Sequence, residues 1–260
     1  MTQVVVLGNT GMVGHAMVLA LSQGNDLRVL SYGRNMIDAL DDSTLNNLWG
    51  NIDYVINCVG IIWQAQPTNP TVMSRVNTTF PWRLQARCEE IGAKLIHVST
   101  DCVFTGKQGH YTEKDQPDSL DTYGLSKYLG EPNGAMVIRT SIIGREQGTQ
   151  RSLLEWARSK AGTQVNGYTN HFWNGVTSRE FGRICGDIIR KDLWEADTFH
   201  VHADPITKHD LLKLLSTHYG LNLDIVPHDT PERVDRTLAS VKPLCGKLNI
   251  PTIEQMVKEL

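Results

Sequence analysis

Short runs of β-branched and aliphatic residues alternate with longer amphipathic stretches through the first half of the chain. QVVVLG reads as a buried strand, and GHAMVLALSQG after it as a helix ended by Gly24. DLRVLSYG is a second strand, IDALDDSTLNNLWG a helix, and IDYVINCVG a third strand. A long helical stretch runs from Val72 to Ile91, with a kink or restart expected at Pro81. GAKLIHVST gives a fourth strand and AMVIRTSIIG a fifth. Strands alternating with helices of this length predict βαβ units, hence a parallel sheet with helices on both faces.

Beyond Gly144 the rhythm loosens. RSLLEWARSKAG, SREFGRICGDIIRK and KHDLLKLLSTHYG read as helices, and TFHVHA as a strand between the last two. The closing segment, TPERVDRTLASVKPLCGKLNIPTIEQMVKEL, looks helical around two prolines. Neither a repeat nor a low-complexity linker interrupts the chain. The expectation is a sheet domain over residues 1–145, with a smaller carboxy-terminal lobe over 146–260 partly interleaved with it.

Composition narrows the class without naming a function. The 260 residues are 40% hydrophobic and 20% charged, ordinary values for a globular protein. The formal net charge of -3, with basic residues scattered, argues against nucleic acid or an acidic membrane as partner. Five cysteines without C-x-x-C spacing point to reduced thiols, not to a disulfide framework or a zinc site. The start MTQVVVLGNTG lacks a basic leader, and no apolar run is long enough to span a bilayer, so a cytoplasmic protein is expected.

The first strand–helix junction carries the clearest chemistry. VVVLGNTGMVGHAMV sets Gly8, Gly11 and Gly14 around Asn9, Thr10, Met12 and Val13. Gly8 suits a tight turn, Gly11 a close approach of backbone to a pyrophosphate, and Gly14 close helix–strand packing. The helix N-terminus would then face the phosphates of a dinucleotide, although the spacing is G-x-x-G-x-x-G. The fold expected is therefore a Rossmann-type, doubly wound α/β sheet. An acidic residue at the end of the second strand would grip the ribose 2′-hydroxyl of NAD, but LSYGRN offers Arg34 instead. NADP(H) is thus favoured over NAD(H). Asp42, or its neighbour Asp41, is a weaker candidate near the adenine. Cys58, Val59 and Gly60 end the third strand, where the cofactor of such sheets lies.

The fourth strand ends HVSTDCVFTG, and DTYGLSKYLGE follows it, with Tyr123 and Lys127 on one helical face. In order along the chain, GNTGMVG, NCVG, VNTTFPWRL around Asn77, GAKLIHVSTDCVF and YGLSKYLGE resemble the extended short-chain dehydrogenase/reductases. Within them the pattern is most similar to the dTDP-4-dehydrorhamnose reductase group of nucleotide-sugar reductases. The likeness is close over roughly the first 145 residues and looser through NHFWNG. It implies NADPH-dependent reduction of the 4-keto group of a nucleotide-linked 6-deoxy sugar, in deoxysugar or cell-surface polysaccharide biosynthesis. The substrate would be a nucleotide-diphosphate sugar, and a homodimer is compatible with the family. Thr100 would polarise the carbonyl, Tyr123 would donate the proton, and Lys127 would lower the phenol's pKa and bind the nicotinamide ribose. Asn77 would belong to the cofactor side.

One position departs from the group's usual STDYVF: Cys102 replaces its tyrosine. Related epimerase-reductases carry a cysteine there, so Cys102 is a candidate acid–base group, with His171 a loose second. Arg139 and Arg179 could pair with nucleotide phosphates, or form structural ion pairs. His171 and Trp173, in NHFWNG, could meet the base or sugar. His200 and His202 read as structural, and no residue set suggests a metal. The alternatives are an epimerase-reductase using Cys102, and a non-catalytic NADP-binding subunit similar to the regulatory partner of methionine adenosyltransferase.

Overall fold

Valines and isoleucines recur at the centre of each short run because both faces of the sheet they form are covered. The structure, a computed structural model, describes residues 1–62, 69–146 and 152–260. Its first half runs β1 (Thr2–Leu7), α1 (Met12–Leu21), β2 (Leu27–Tyr32), β3 (Tyr54–Asn57), α2 (Pro70–Ser74), α3 (Phe80–Ile91), β4 (Lys94–Val98), α4 (Thr122–Leu129) and β5 (Met136–Arg139). The second half runs β6 (Ile142–Ile143), α5 (Leu153–Ser159), β7 (Gln164–Tyr168), β8 (His171–Trp173), β9 (Val176–Thr177), α6 (Ser178–Arg190) and β10 (Thr198–His200). It ends with β11 (Ile206–Thr207), α7 (Lys208–Tyr219), β12 (Asp224–His228), β13 (Val234–Asp235), α8 (Leu244–Leu248) and α9 (Ile253–Lys258).

Six strands form one parallel sheet in the order β10-β5-β4-β3-β1-β2. The order reverses between β1 and β3, which opens a crevice at the carboxyl ends of those strands. Alternate residues serve opposite cores. Val4, Val6, Ile56, Ile96 and Ile138 pack toward α1 and α6, whereas Val5, Leu7, Val55, Leu95 and Val137 pack toward α3. The Rossmann-type α/β sheet expected from the alternating pattern is present. Its sixth strand, β10, comes from the second half of the chain and pairs with β5.

The remaining strands build a lobe over the carboxyl edge: β11-β8-β13, β12-β7 and β6-β9. The run AMVIRTSIIG therefore splits, with Met136–Arg139 in the main sheet and Ile142–Ile143 paired to β9. Two expected helices give way to local side-chain bonds. In IDALDDSTLNNLWG only a 3-10 turn, Asp42–Asn47, forms. Asp38 accepts from the backbone N–H of Leu40, and Asp41 from that of Ser43, offering that backbone an alternative to a helix. The closing segment is extended at β13, where Asp235 is buried and bonded to Thr237 and Arg233. Helix returns only in α8 and α9.

At Pro81 the helical stretch restarts, as expected for that proline. It stands at the start of α3, directly after a π-turn over Arg75–Thr79 closed by the Phe80 N–H on the Arg75 carbonyl. Proline has no N–H to give the carbonyl of Asn77, and the widened turn is the usual local adjustment. Among the described residues no helix is long and apolar enough to cross a membrane.

Candidate active site

The glycine loop is shaped by two steric demands. Gly8 has φ +78°, and a Cβ there would lie 3.1 Å from the backbone of Cys58 and Val59. A Cβ on Gly14 would stand 2.2 Å from the Gly8 carbonyl oxygen, so α1 can start this close to β1 only with glycine. The loop and the opposite bank enclose a cleft of about 290 Å³ whose wall includes Gly8, Thr10, Gly11, Arg34, Val59 and Gly60. It continues into an inner cleft of about 220 Å³ bordered by Met12, Val13, Cys58, Thr100, Tyr123 and Lys127. Cys58 borders both, so the two form one trough across the sheet's switch point.

At the outer end Asn9 donates to the Ser31 hydroxyl at 3.1 Å, while its buried Oδ1 has no hydrogen-bond donor. Arg34 is largely exposed, at 75%, and its Nε is 3.2 Å from Asp38. Asp38 is held below the usual carboxylate range, chiefly by the Leu40 N–H and then by Arg34. Sequence reading placed the acidic residue wrongly. Asp42 is outside the cleft wall, in an ion pair with Arg83, whereas Asp38 borders the cleft. The missing helix explains the exchange, because the 3-10 turn carries Asp42 toward α3.

Asn77 occupies the π-turn and is fully buried. Its Oδ1 accepts from the Ile61 N–H at 2.8 Å, and its Nδ2 donates to the Ile61 carbonyl at 2.9 Å and to Ser126 at 3.1 Å. It ties the loop after β3 to α4 and so shapes the trough. Its side-chain amide is already engaged there, which corrects the expectation of a direct cofactor contact.

The inner end is a cluster of buried polar side chains. Asp121 caps α4, accepting from the N–H groups of Tyr123 and Gly124, which fixes where that helix starts and where Tyr123 points. Lys127 lies one turn further along the same face, 5% exposed, and donates to the Val98 carbonyl at 2.7 Å. Thr100 caps the 3-10 turn after β4, accepting from the Cys102 N–H at 3.1 Å. Its hydroxyl donates to Asp101 Oδ1 at 3.2 Å and also acts on the Tyr123 phenol, lowering its pKa against burial. Thr100, Tyr123 and Lys127 therefore border one cleft, as their motifs foretold.

The electrostatics differ from the expected pairing. Burial raises the pKa of Tyr123 above that of a free phenol, and Cys102 and Asp101 push the same way against the Thr100 hydrogen bond. Burial brings Lys127 down to about 8, opposed by Glu131 and Cys58. Lys127 bonds to Val98 and not to the phenol. The Cys102 thiol is pushed up to about 12 by burial, then by Asp101, to which its Sγ donates at 3.7 Å. Asp101 is also raised by burial, with Arg236 and Lys208 the nearest opposing charges.

Four residues were expected on the substrate side, and they separate. His171 bonds Thr230 at 2.8 Å and stacks on Tyr168 at 4.6 Å. Burial, then Lys208 and Arg236, lower its pKa, and these are the two cations that also act on Asp101 and Cys102. His171 thus shares an electrostatic neighbourhood with Cys102. Trp173 does not reach the cleft: it is packed into the core with Val176 and Phe181. Arg139 is buried in a two-pronged ion pair with Glu131 at 2.9 and 2.6 Å. Arg179 donates to the Glu259 carbonyl and borders a groove of about 580 Å³ along α1 that shares Met12 with the inner cleft but not Thr100 or Tyr123. Sequence reading missed Asp38, whose partners Arg34 and Leu40 are local, and also Glu131, Lys208 and Arg236, whose neighbours come from distant elements that no spacing announces.

A parallel sheet with a glycine turn at its switch point, faced by Thr100 and a Tyr-x-x-x-Lys helix, defines an extended short-chain dehydrogenase/reductase. The family model described as RmlD substrate binding domain matches residues 1–238, and the chain belongs to that family. Over 273 aligned residues it is 26% identical to a Haloferax volcanii protein named "Probable low-salt glycan biosynthesis reductase Agl14", covering 96% of this chain and 90% of that one. It is 32% identical over 155 residues to a dTDP-4-dehydrorhamnose reductase of Mycobacterium tuberculosis, a match spanning 54% of this chain and only half, 50%, of that enzyme. It is 27% identical over 245 residues to methionine adenosyltransferase 2 subunit beta of Rattus norvegicus, covering 84% and 72%. Among solved structures, dTDP-4-dehydrorhamnose reductase from Bacillus anthracis in complex with NADP shares the fold, with TM-score 0.84 at 19% identity over 100% of this chain and 98% of that one.

Proposed function

We propose that the protein is an NADPH-dependent reductase of the 4-keto group of a nucleotide-linked 6-deoxy sugar, serving deoxysugar or glycan biosynthesis. The observation that carries this reading is the single trough joining the glycine loop to Thr100, Tyr123 and Lys127. A reductase relative matched over nearly the whole chain supports the same class.

The residues present fit the dinucleotide. Gly8 and Gly11 bring bare backbone to the cleft, the N-terminus of α1 faces it, and the donorless Asn9 Oδ1 suits a ribose hydroxyl. Arg34 would accept a 2′-phosphate, Cys58 to Gly60 would border the nicotinamide end, and Lys127 would hold its ribose. When bound, NADPH supplies the hydride.

The chain's own task is the proton. A ketone that gains hydride becomes an alkoxide, whose conjugate acid is about as weak as bulk water, near pKa 15.7. Even with its pKa raised, Tyr123 is a much stronger acid than that, so its proton passes to the alkoxide downhill. The raised pKa also keeps the phenol protonated across neutral pH, which is the state a donor needs. Thr100, at the same mouth, donates to the developing oxyanion. Lys208 and Arg236, whose charges act on Asp101 and Cys102, would be the nearest source of positive charge in that region for a diphosphate.

The epimerising alternative gains little support from a thiol pushed up to about 12, since such a thiol is a poor source of thiolate at neutral pH. The regulatory alternative has a specific observation in its favour, the resemblance to a methionine adenosyltransferase subunit. One assay separates the two. NADPH consumption on adding dTDP- and other nucleotide-linked 4-keto-6-deoxy sugars is expected. Tight NADPH binding without turnover on any of them would overturn the reductase reading in favour of the regulatory one.

A further inference from the structure

The buried ion pair that removes Arg139 from the substrate side lies directly behind the cluster of Thr100, Tyr123 and Lys127. Glu131 follows α4 by two residues, and its side chain and that of Arg139 are each only 6% exposed. Glu131 Oε1 accepts from Arg139 Nε at 2.9 Å and from the Ser99 hydroxyl at 2.6 Å, and Oε2 accepts from Arg139 Nη2 at 2.6 Å. Ser99 stands between Val98, whose carbonyl holds Lys127, and Thr100, which faces the phenol. One carboxylate thus grips the strand end that carries both the acceptor of Lys127 and the hydroxyl of Thr100.

We propose that Glu131, with Arg139 as its counter-ion, is a positioning residue of this cleft: it fixes the end of β4 and keeps Lys127 an ammonium. The proposal rests on the reductase reading for its role in turnover, and for its effect on Lys127 on the contacts that tie Glu131 through Ser99 to the strand end holding Lys127, together with the charge Glu131 sets against burial. Replacing a buried ion pair by apolar side chains of similar volume is often neutral or stabilising, so stability alone does not call for this one. Here it supplies negative charge to a lysine that burial would otherwise discharge.

The groups facing Lys127 leave Glu131 as the charge that matters. From α4 itself come Tyr123, a neutral phenol, and Ser126. From β3 comes Cys58, whose thiol burial pushes up to about 12 and so keeps neutral. From β4 comes His97, fully buried, bonded to Asn57 at 3.0 Å and held uncharged by burial and by Lys127. From the π-turn comes only the amide of Asn77. Arg139, on β5, acts through Glu131. Among these only Glu131 carries a negative charge that favours the ammonium, and it is the leading opponent of the burial that brings Lys127 to about 8.

The test compares Glu131→Gln with Arg139→Gln. NADPH affinity, followed by nicotinamide fluorescence, and kcat/KM are measured against pH. In the unaltered protein both should fall as pH rises through about 8, where Lys127 loses its proton. Glu131→Gln removes the favouring charge, so the midpoint should move down by about one pH unit or more. Arg139→Gln leaves Glu131 without its neutraliser, so the midpoint should move up. Opposite shifts are the signature, because damage to packing alone has no reason to change sign between the two. Shifts of the same sign, or none, in folded variants would overturn the proposal. If either single variant fails to fold, Glu131→Gln/Arg139→Gln removes both buried charges at once. Its midpoint should lie below that of the unaltered protein, and an unchanged midpoint would overturn the proposal. Opposite shifts in NADPH binding without turnover on any keto sugar would uphold the positioning role while sinking the reductase reading.

Discussion

Between Gly8 and Gly14 the trough is walled by backbone, with an exposed arginine at its rim; between Thr100 and Lys127 it is walled by buried polar side chains. The outer half owes its shape to the absence of side chains, since a single Cβ on Gly14 would collide with the Gly8 carbonyl. The inner half depends on side chains being held, by Asp121 at the start of α4 and by Val98 and Glu131 behind it. Binding and chemistry are thus built by opposite means within one cleft. A change in the outer half should alter affinity and shape, and one in the inner half should alter rate.

The largest effect expected is at the inner end. Tyr123→Phe removes the proton donor and should lower kcat by about 10²–10⁴-fold while leaving NADPH affinity close to unchanged. Equal loss of affinity would break the division between the halves. Gly14→Ala should do the reverse. Its Cβ forces α1 away from β1, costing about 1–3 kcal/mol of stability. NADPH binding should weaken markedly, as read by thermal unfolding with and without the cofactor. Asp38→Asn should have a smaller effect of a different kind. Freed from its partner, Arg34 should favour a 2′-phosphate more, and the ratio of NADPH to NADH affinity should rise by about 1.4–5-fold, the range of an exposed ion pair of about 0.2–1 kcal/mol. An unchanged ratio would show that Arg34 does not read the 2′ position. Cys102→Ser should be the mildest, with reduction kept within about threefold, because Tyr123 supplies the proton and the high pKa of the thiol leaves little thiolate to act as a base. Loss of activity in that variant, with the fold intact, would return Cys102 to the chemistry.

The same contrast explains what the chain discloses before it folds. The glycine turn and the Tyr-x-x-x-Lys helix are local: neighbours in sequence become neighbours in the cleft, so spacing puts Tyr123 and Lys127 on one face, and the ordered motifs around them suggest the role. The alternating sheet pattern is legible for the same reason. Arg139 and Arg179 take the structural pairings that the sequence left open beside a phosphate role, and Trp173 turns into the core, because the face a strand or helix turns inward is decided by distant partners, here Glu131, Glu259 and the core beneath α6. The helix expected after β2 failed because Asp38 and Asp41 bind their own backbone. Glu131 was visible as the last letter of YLGE, but nothing in that stretch reveals Ser99 and Arg139 converging on it.

The late strand β10 has a consequence for how the molecule is made. It pairs with β5, the Arg139 carbonyl accepts from Val201, and Val137 donates to Asp197. During synthesis β5 leaves the ribosome well before the strand that covers it. For that interval the nascent sheet presents an open parallel edge, the kind of edge that pairs with other chains. Arg139 stands at that same unfinished margin, with its Nη1 3.5 Å from His200 of β10, so the Glu131–Arg139 pair can form early but gains this last cover only when the second half of the chain has arrived.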